Sequence, residues 1–117
     1  MQLSLKSSYL QAGIIKKIVK EIVTASNPNK IILFGSYVQG TPNEESDIDL
    51  LIIKPKIKSK ISEYVNIREK LKEVKLPFDI IVISPEEYEF YKREAGCVIR
   101  TAYEKGRVLY EKVSKTV

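Results

Sequence analysis

Three short, almost purely apolar runs constrain this chain more than any other feature: Lys30–Phe34, Ile48–Ile53 and Phe78–Ile83. Each has the length of a buried strand and is too short for a core helix. Segments with helical periodicity separate them, so the chain alternates helix and strand. That order predicts an α/β fold, one small sheet covered by helices. Upstream, Leu10, Ile14, Ile18 and Ile22 recur every fourth residue, with Ile15, Val19 and Val23 beside them and Lys16, Lys17, Lys20 and Glu21 opposite. The pattern predicts a core-facing helix of about 16 residues, ended by Asn27-Pro28-Asn29. From Lys60, the positions Tyr64, Ile67, Leu71 and Val74 mark a second amphipathic helix. Ser84-Pro85-Glu86-Glu87 reads as an N-cap, an N1 proline and a capping-box glutamate. A helical region then runs to about Lys105, broken near Gly96 and closed by Gly106 at C′. Arg107 to Tyr110 adds a fourth, edge strand.

Carboxylates interrupt two of the apolar runs. Asp47 and Asp49 bracket Ile48 where the second run begins, and Asp79 is the second residue of the third. Aspartate is a poor strand former, and a buried carboxylate is costly unless paired or bound to a cation. Residues two apart on a strand point to the same face, so Asp47 and Asp49 aim together. Parallel neighbouring strands lie ~4.8 Å apart, so Asp79 would join them if the second and third runs pair in parallel. The chain has no histidine and one cysteine, Cys97. This excludes histidine-based triads, histidine-ligated zinc and an intramolecular disulfide, and leaves acid–base and metal work to carboxylates. An all-oxygen donor set suits Mg²⁺, with Mn²⁺ as the alternative, rather than zinc. Two such ions ~3.5–4 Å apart can clamp the attacking and leaving oxygens of an in-line phosphoryl displacement.

Gly35 and Ser36 follow the first run. Glycine permits close approach of the backbone to a ligand. Ser36 is expected as the N-cap of a short helix through Gln39, whose free N–H groups and positive dipole end favour phosphate. Gly40 stops that helix, and a polar loop from Thr41 to Ser46 leads to the aspartates. For the Gly-Ser turn to face them, the first strand must run antiparallel to the second.

Gly35-Ser36, ten residues, Asp47-x-Asp49 and a later strand aspartate, Asp79, together resemble the DNA polymerase β-type nucleotidyltransferase superfamily. The short chain resembles its minimal nucleotidyltransferases, the MNT antitoxin partners of HEPN-domain toxins. The matching residues are Gly35, Ser36, Gly40, Asp47, Asp49 and Asp79, within a core of residues 30–83. The resemblance implies a nucleotidyltransferase fold with a small mixed sheet. It implies two Mg²⁺ ions and ATP, with Asp47 and Asp49 ligating both metals. Asp79 would ligate the catalytic metal and help deprotonate the acceptor hydroxyl. Gly35 and Ser36 would hold the β- and γ-phosphates, with Gly40 in the same phosphate-binding turn. The implied reaction is AMP transfer with release of pyrophosphate, to a tyrosine of the HEPN toxin. Two rival readings use the same residues: an antitoxin that neutralises by binding alone, and a small-molecule nucleotidyltransferase with an aminoglycoside-type acceptor, for which Glu44 and Glu45 could build an acidic pocket.

With 117 residues the chain reads as one domain, 1–117. Larger members of the superfamily add a helical domain for the acceptor, so the acceptor site is expected to be completed by another chain, as a homo- or hetero-oligomer. The net charge of +5 is compatible with nucleotide, nucleic acid or an acidic protein and decides nothing alone. Lys54, Lys56, Lys58 and Lys60 leave the far end of the second strand, roughly 15–20 Å from the aspartates. No aromatic residues interleave there as a stacking platform requires, so the tract reads as a solvated face and a nucleic-acid partner is not expected. No window approaches the ~20 apolar residues of a membrane span, and the start lacks a signal-peptide core; a cytoplasmic protein is expected. Tyr88, Tyr91 and Cys97 read as packing residues. Arg68, Arg93, Arg100 and Arg107 are candidates for a triphosphate contact that sequence does not rank.

Overall fold

A computed structural model describes residues 11–40 and 46–113. Leu10 and the loop at 41–45, with Glu44 and Glu45, lie outside them. The elements run α1 (Ala12–Ser26), β1 (Lys30–Phe34), α2 (Ser36–Gln39), β2 (Ile48–Ile53), α3 (Lys60–Leu71), β3 (Phe78–Ile83), α4 (Pro85–Tyr91), α5 (Val98–Lys105) and β4 (Arg107–Glu111). The strands form one mixed sheet in the order β3-β2-β1-β4. β1 pairs antiparallel with β2 and with β4, and β2 pairs parallel with β3. All three strand directions that the site argument needed are therefore present.

The sheet is buried on both faces because its strands are apolar at both parities. Ile31 and Leu33 of β1, Ile48, Leu50 and Ile52 of β2, and Ile80 and Val82 of β3 pack under Ile18 and Ile22 of α1 and Ile67 and Leu71 of α3. Ile32, Phe34, Leu51, Ile53 and Ile83 face the other way, against Tyr88 of α4 and Ile99 and Ala102 of α5. Fully burying each such side chain contributes roughly 1.5–3 kcal/mol.

Local chemistry sets most of the helix ends. Asn27 closes α1 in the left-handed region, φ 52°, with its amide donating to the Val23 carbonyl. Ser59 caps α3, its hydroxyl accepting from the Ser62 amide. Ser84 and Glu87 form a reciprocal capping box: the Glu87 amide donates to Ser84 Oγ at 3.0 Å, and the Ser84 amide to Glu87 Oε1 at 2.9 Å. Ser84→Ala is expected to cost about 1 kcal/mol of stability by removing that cap, as a lowered urea midpoint with an unchanged slope. The break between α4 and α5 spans residues 92–97 and contains Gly96. Gly106 ends α5 as expected, but at φ −78° rather than in the left-handed region. It is small for another reason: a Cβ there would overlap the Ala102 carbonyl oxygen and the Ile32 side chain.

Three expectations change. Gly35, not Ser36, is the N-cap of α2, and Ser36 is its first helical residue. The backbone at Gly35, φ 81° and ψ −155°, is one only glycine adopts readily, so the chain turns one residue earlier than serine's capping preference indicates. Tyr64 is not a core residue; it is exposed on α3, with the Arg68 guanidinium 5.7 Å from its ring. Val74 is buried but lies beyond the end of the helix, in the turn toward β3.

The lysine tract is partly structural. Lys54 Nζ donates to the Ser26 carbonyl at the end of α1, at 2.7 Å, while Ser26 Oγ donates to Glu63 of α3 at 3.0 Å. Lys60 pairs with Glu87 at 2.6 Å. These contacts tie α1, α3 and α4 together at the sheet edge opposite the aspartates. Tyr88 is core, as expected, and its ring lies between Lys30 and Lys92 at 5.5 and 5.4 Å. Tyr91 is exposed, edge-on to Phe90, and Cys97 is half-buried immediately before α5.

Candidate active site

The register of the sheet brings the sequence candidates to one edge. In the parallel β2–β3 pair, Asp49 stands directly beside Asp79. In the antiparallel β1–β2 pair, Phe34 stands beside Asp49, so the residue after it, Gly35, leaves the sheet at the same point. Asp47 lies two residues before Asp49, just outside β2. Along the edge, the order is Gly35-Ser36 turn, Asp47 and Asp49, then Asp79 on the outermost strand.

Gly35 presses closely on the carboxylate. A Cβ at this position would overlap Asp49 Oδ2, so the position requires glycine for space as well as for its positive φ. The α2 helix that follows turns its first amides toward this edge. The Val38 and Gln39 amides both donate to the Gly35 carbonyl, at 3.0 and 3.1 Å. The Ser36 and Tyr37 amides open the helix and have no intrahelical acceptor to use. Gly40 closes α2 in the left-handed region, φ 80°, its amide donating to the Ser36 carbonyl. Among the described residues nothing lies within 4 Å of where its Cβ would stand, and its positive φ is what calls for glycine there.

The electrostatics of the three aspartates are unequal. Asp47 and Asp79 are exposed, and Asp49 is half-buried between them. Burial, then the charges of Asp79 and Asp47, then a hydrogen bond with the Asp79 side chain push the Asp49 carboxyl up to about 6 from its usual 3.8. Asp49 therefore holds its proton to a higher pH than an ordinary aspartate, because burial and the neighbouring carboxylates oppose its charge. Among the described residues, no group of three or more acidic, histidine or cysteine side chains is arranged to hold a metal ion as it stands. Asp49 and Asp79 form a direct pair, with Asp47 acting on Asp49 through its charge.

The structure also separates the four arginines. Arg100 pairs with Glu104 at 3.0 Å, and Arg93 lies 4.0 Å from Glu89, both on the α4–α5 side. Arg107 opens β4 and pairs in register with Leu33, which puts it on the Gly35 side of the edge. Arg68 reaches the other side, its Nη1 donating to the Phe78 carbonyl at 2.8 Å, one peptide from Asp79. Strand register places Arg107 and a tertiary hydrogen bond places Arg68, and sequence spacing holds no trace of either.

The model of the family described as Polymerase beta, Nucleotidyltransferase matches residues 16–115. Two proteins of Methanocaldococcus jannaschii, both named as candidate protein adenylyltransferases, are similar in sequence. MJ0141 is 38% identical over 84 residues, covering 65% of this chain and 77% of that protein. MJ0604 is 33% identical over 103 residues, covering 81% of this chain and 97% of that protein. Among solved structures, a toxin–antitoxin crystallised with AMP-PNP shares the fold at a TM-score of 0.63 and 23% identity, over 84% of this chain and 73% of that one. The strand order, the paired aspartates and the family match over residues 16–115 agree: the chain belongs to the polymerase β-type nucleotidyltransferase family.

Proposed function

We propose that this nucleotidyltransferase is a protein adenylyltransferase that acts as an antitoxin, moving AMP from ATP to a tyrosine hydroxyl of a HEPN-domain toxin. The observation that carries the reading is the pairing of Asp49 with Asp79 at the point where Gly35 abuts the Asp49 carboxylate. The two relatives named for protein adenylyltransferase activity support the chemistry, and the toxin–antitoxin neighbour supports the partner class.

The donor set fits Mg²⁺: Asp47, Asp49 and Asp79 supply hard oxygen ligands from one edge, with no softer donor among them. Bound there, two Mg²⁺ ions would neutralise triphosphate charge and acidify the acceptor hydroxyl. The protein does the rest by placement. The amides of Ser36 and Tyr37, at the start of α2, donate to the β- and γ-phosphates. Gly35 keeps side-chain bulk away from the strip where phosphate and carboxylates meet. Asp47 and Asp49 would hold the ions that neutralise the triphosphate, since bare carboxylates repel phosphate, and Asp79, on an edge strand, accepts the proton of the incoming hydroxyl. The acceptor oxygen bonds to the α-phosphorus while the bond to the pyrophosphate oxygen breaks. AMP remains on the acceptor, pyrophosphate leaves, and the exposed Asp79 passes its proton to water.

Incubation of the chain with its co-expressed toxin partner, Mg²⁺ and α-labelled ATP is expected to label the partner. Intact mass should rise in AMP-sized steps, and Asp47→Asn should remove the signal. An unlabelled partner, or equal labelling by the variant, overturns the proposal.

A further inference from the structure

The sheet ends in two edge strands, β3 and β4, and they are built differently. An edge strand offers unpaired N–H and C=O groups, which natural proteins blunt with charges, bulges or short strands. β4 carries such devices: Arg107 and Glu111 stand at its ends, and its pairing with β1 shifts register between Ile31 and Ile32. β3 lacks them beyond Asp79. Its residues 80–83 are all apolar, and its register with β2 is unbroken.

The hydrogen bonds show which backbone groups of β3 are free. The Ile48 amide donates to the Pro77 carbonyl at one end of the β2–β3 pair, and the Lys54 amide to the Ile83 carbonyl at the other, both at 2.9 Å. Successive residues turn these groups to opposite sides of a strand, so Pro77, Asp79, Ile81 and Ile83 turn theirs to β2. Phe78, Ile80 and Val82 turn theirs outward. Arg68 agrees with that direction: it reaches the edge from α3 and donates to the Phe78 carbonyl at 2.8 Å. Among the described residues, the outward groups of Ile80 and Val82 have no hydrogen-bond partner. Ile80 and Val82 also keep 6% and 8% exposure where their β2 neighbours, Leu50 and Ile52, keep 0%, as an open edge requires.

Asp79 stands on this edge. Residues directly opposite on neighbouring strands share a face. A residue of an added strand set opposite Asp79 therefore points to the face of Asp49 and Asp79, the one that α4 and α5 cover farther along. Because the Asp79 backbone faces β2, an antiparallel newcomer meets it as a non-hydrogen-bonded pair, with Cα atoms ~4.5 Å apart. A second copy of β3 fits poorly there. Every antiparallel register that joins the outward groups of two copies sets Asp79 against Ile81, Ile83 or Asp79 of the other copy, crowding a carboxylate with apolar or like-charged groups.

We infer that the acceptor polypeptide adds to β3 as a fifth strand, with its tyrosine opposite Asp79. The inference rests on the proposed protein acceptor and names how the chain holds it. Main-chain pairing with Ile80 and Val82 supplies the grip. Register supplies the aim, because only alternate residues of the added strand point to the catalytic face.

The test reads backbone parity. Amide exchange is followed by NMR on the full chain, alone and with a nine-residue peptide of alternating threonine and valine around a central tyrosine. In the free chain, the Ile80 and Val82 amides are expected to exchange about a hundredfold faster than those of Ile81 and Ile83, which bond to β2. Saturating peptide should slow Ile80 and Val82 about tenfold and leave Ile81 and Ile83 unchanged. N-methylation of the two residues beside the tyrosine, whose amides would face β3, should abolish that protection. N-methylation of the tyrosine itself, whose amide would face away, should preserve it. No slowing at the two outward amides, equal loss from both methylations, or slowing that rises with protein concentration alone, as a second copy would give, overturns the inference. Labelling with ATP and Mg²⁺ is read in separate aliquots. A peptide that protects the edge but takes no AMP counts against the adenylyltransferase reading and leaves the strand assignment standing; one that takes AMP without protecting the edge does the reverse.

Discussion

Asp49→Asn is expected to remove nucleotidyl transfer while making the protein more stable at neutral pH. Losing a preorganised charged group at the reacting centre typically costs on the order of 10²–10³-fold in rate. The stability change has the opposite sign. The carboxyl titrates near 3.8 when unfolded and at about 6 in the fold. As pH rises from about 4 to about 6, the unfolded chain sheds this proton while the folded chain keeps it, so ionisation favours unfolding. The penalty is complete above pH 6 and absent below 4. At 1.36 kcal/mol per unit, the shift corresponds to ~3 kcal/mol, which solvent screening at this half-exposed site reduces to about 1 kcal/mol. Asparagine keeps the shape without the charge. Urea unfolding at pH 7.5 should show the variant more stable than the native chain, with the advantage shrinking as pH falls toward 4. Equal stabilities at pH 7.5, or an advantage independent of pH, would contradict this account.

Gly35→Ala should be strongly disruptive for a single added methyl. Alanine would have to adopt φ 81°, ψ −155°, and its Cβ would overlap the Asp49 carboxylate. Backbone strain of this kind costs ~1–3 kcal/mol, and overpacking adds ~1–3 kcal/mol. The expected loss is about 3 kcal/mol, a fall in Tm of roughly 10 °C or more for a domain of this size. The two causes separate in a double-mutant cycle. Gly35→Ala with Asp49→Ala relieves the overlap and leaves the backbone strain, so the pair should recover about 1 kcal/mol relative to additivity. A strictly additive pair would assign the whole effect to the backbone. Transfer activity should vanish in Gly35→Ala even under conditions where the variant remains folded, because the displaced Asp49 no longer faces Asp79.

Much of the fold was legible because its signals are local. Apart from Asp49, the run Ile48–Ile53 is apolar at both parities, and only a strand covered on both faces uses five such residues in six. The Ser84 capping box and the left-handed end of α1 at Asn27 also follow from short-range chemistry. The misreadings have the same origin. Serine is the better N-cap on average, yet Gly35 holds the position because a carboxylate on the neighbouring strand leaves no room for a side chain. Tyr64 satisfies the helical spacing, yet the covered stripe of α3 runs through Glu63, Ile67 and Leu71 beside it, and it remains exposed.

The residue types and their spacing were enough for the nucleotidyltransferase family reading, which the family match over residues 16–115 bears out. A chain without histidine, with carboxylates at two strand starts and a glycine-serine turn ten residues upstream, has hard-cation and phosphate chemistry as its consistent use. What only the tertiary structure decided is who stands beside whom. The parallel register sets Asp49 against Asp79, and the antiparallel register sets Gly35 against Asp49. The strand order makes β3 an edge strand, which leaves Asp79 at the margin of the sheet. Spacing along one strand is a covalent property that any reader of the chain can count. Adjacency between strands depends on packing both faces of the sheet at once, so no local stretch of sequence contains it.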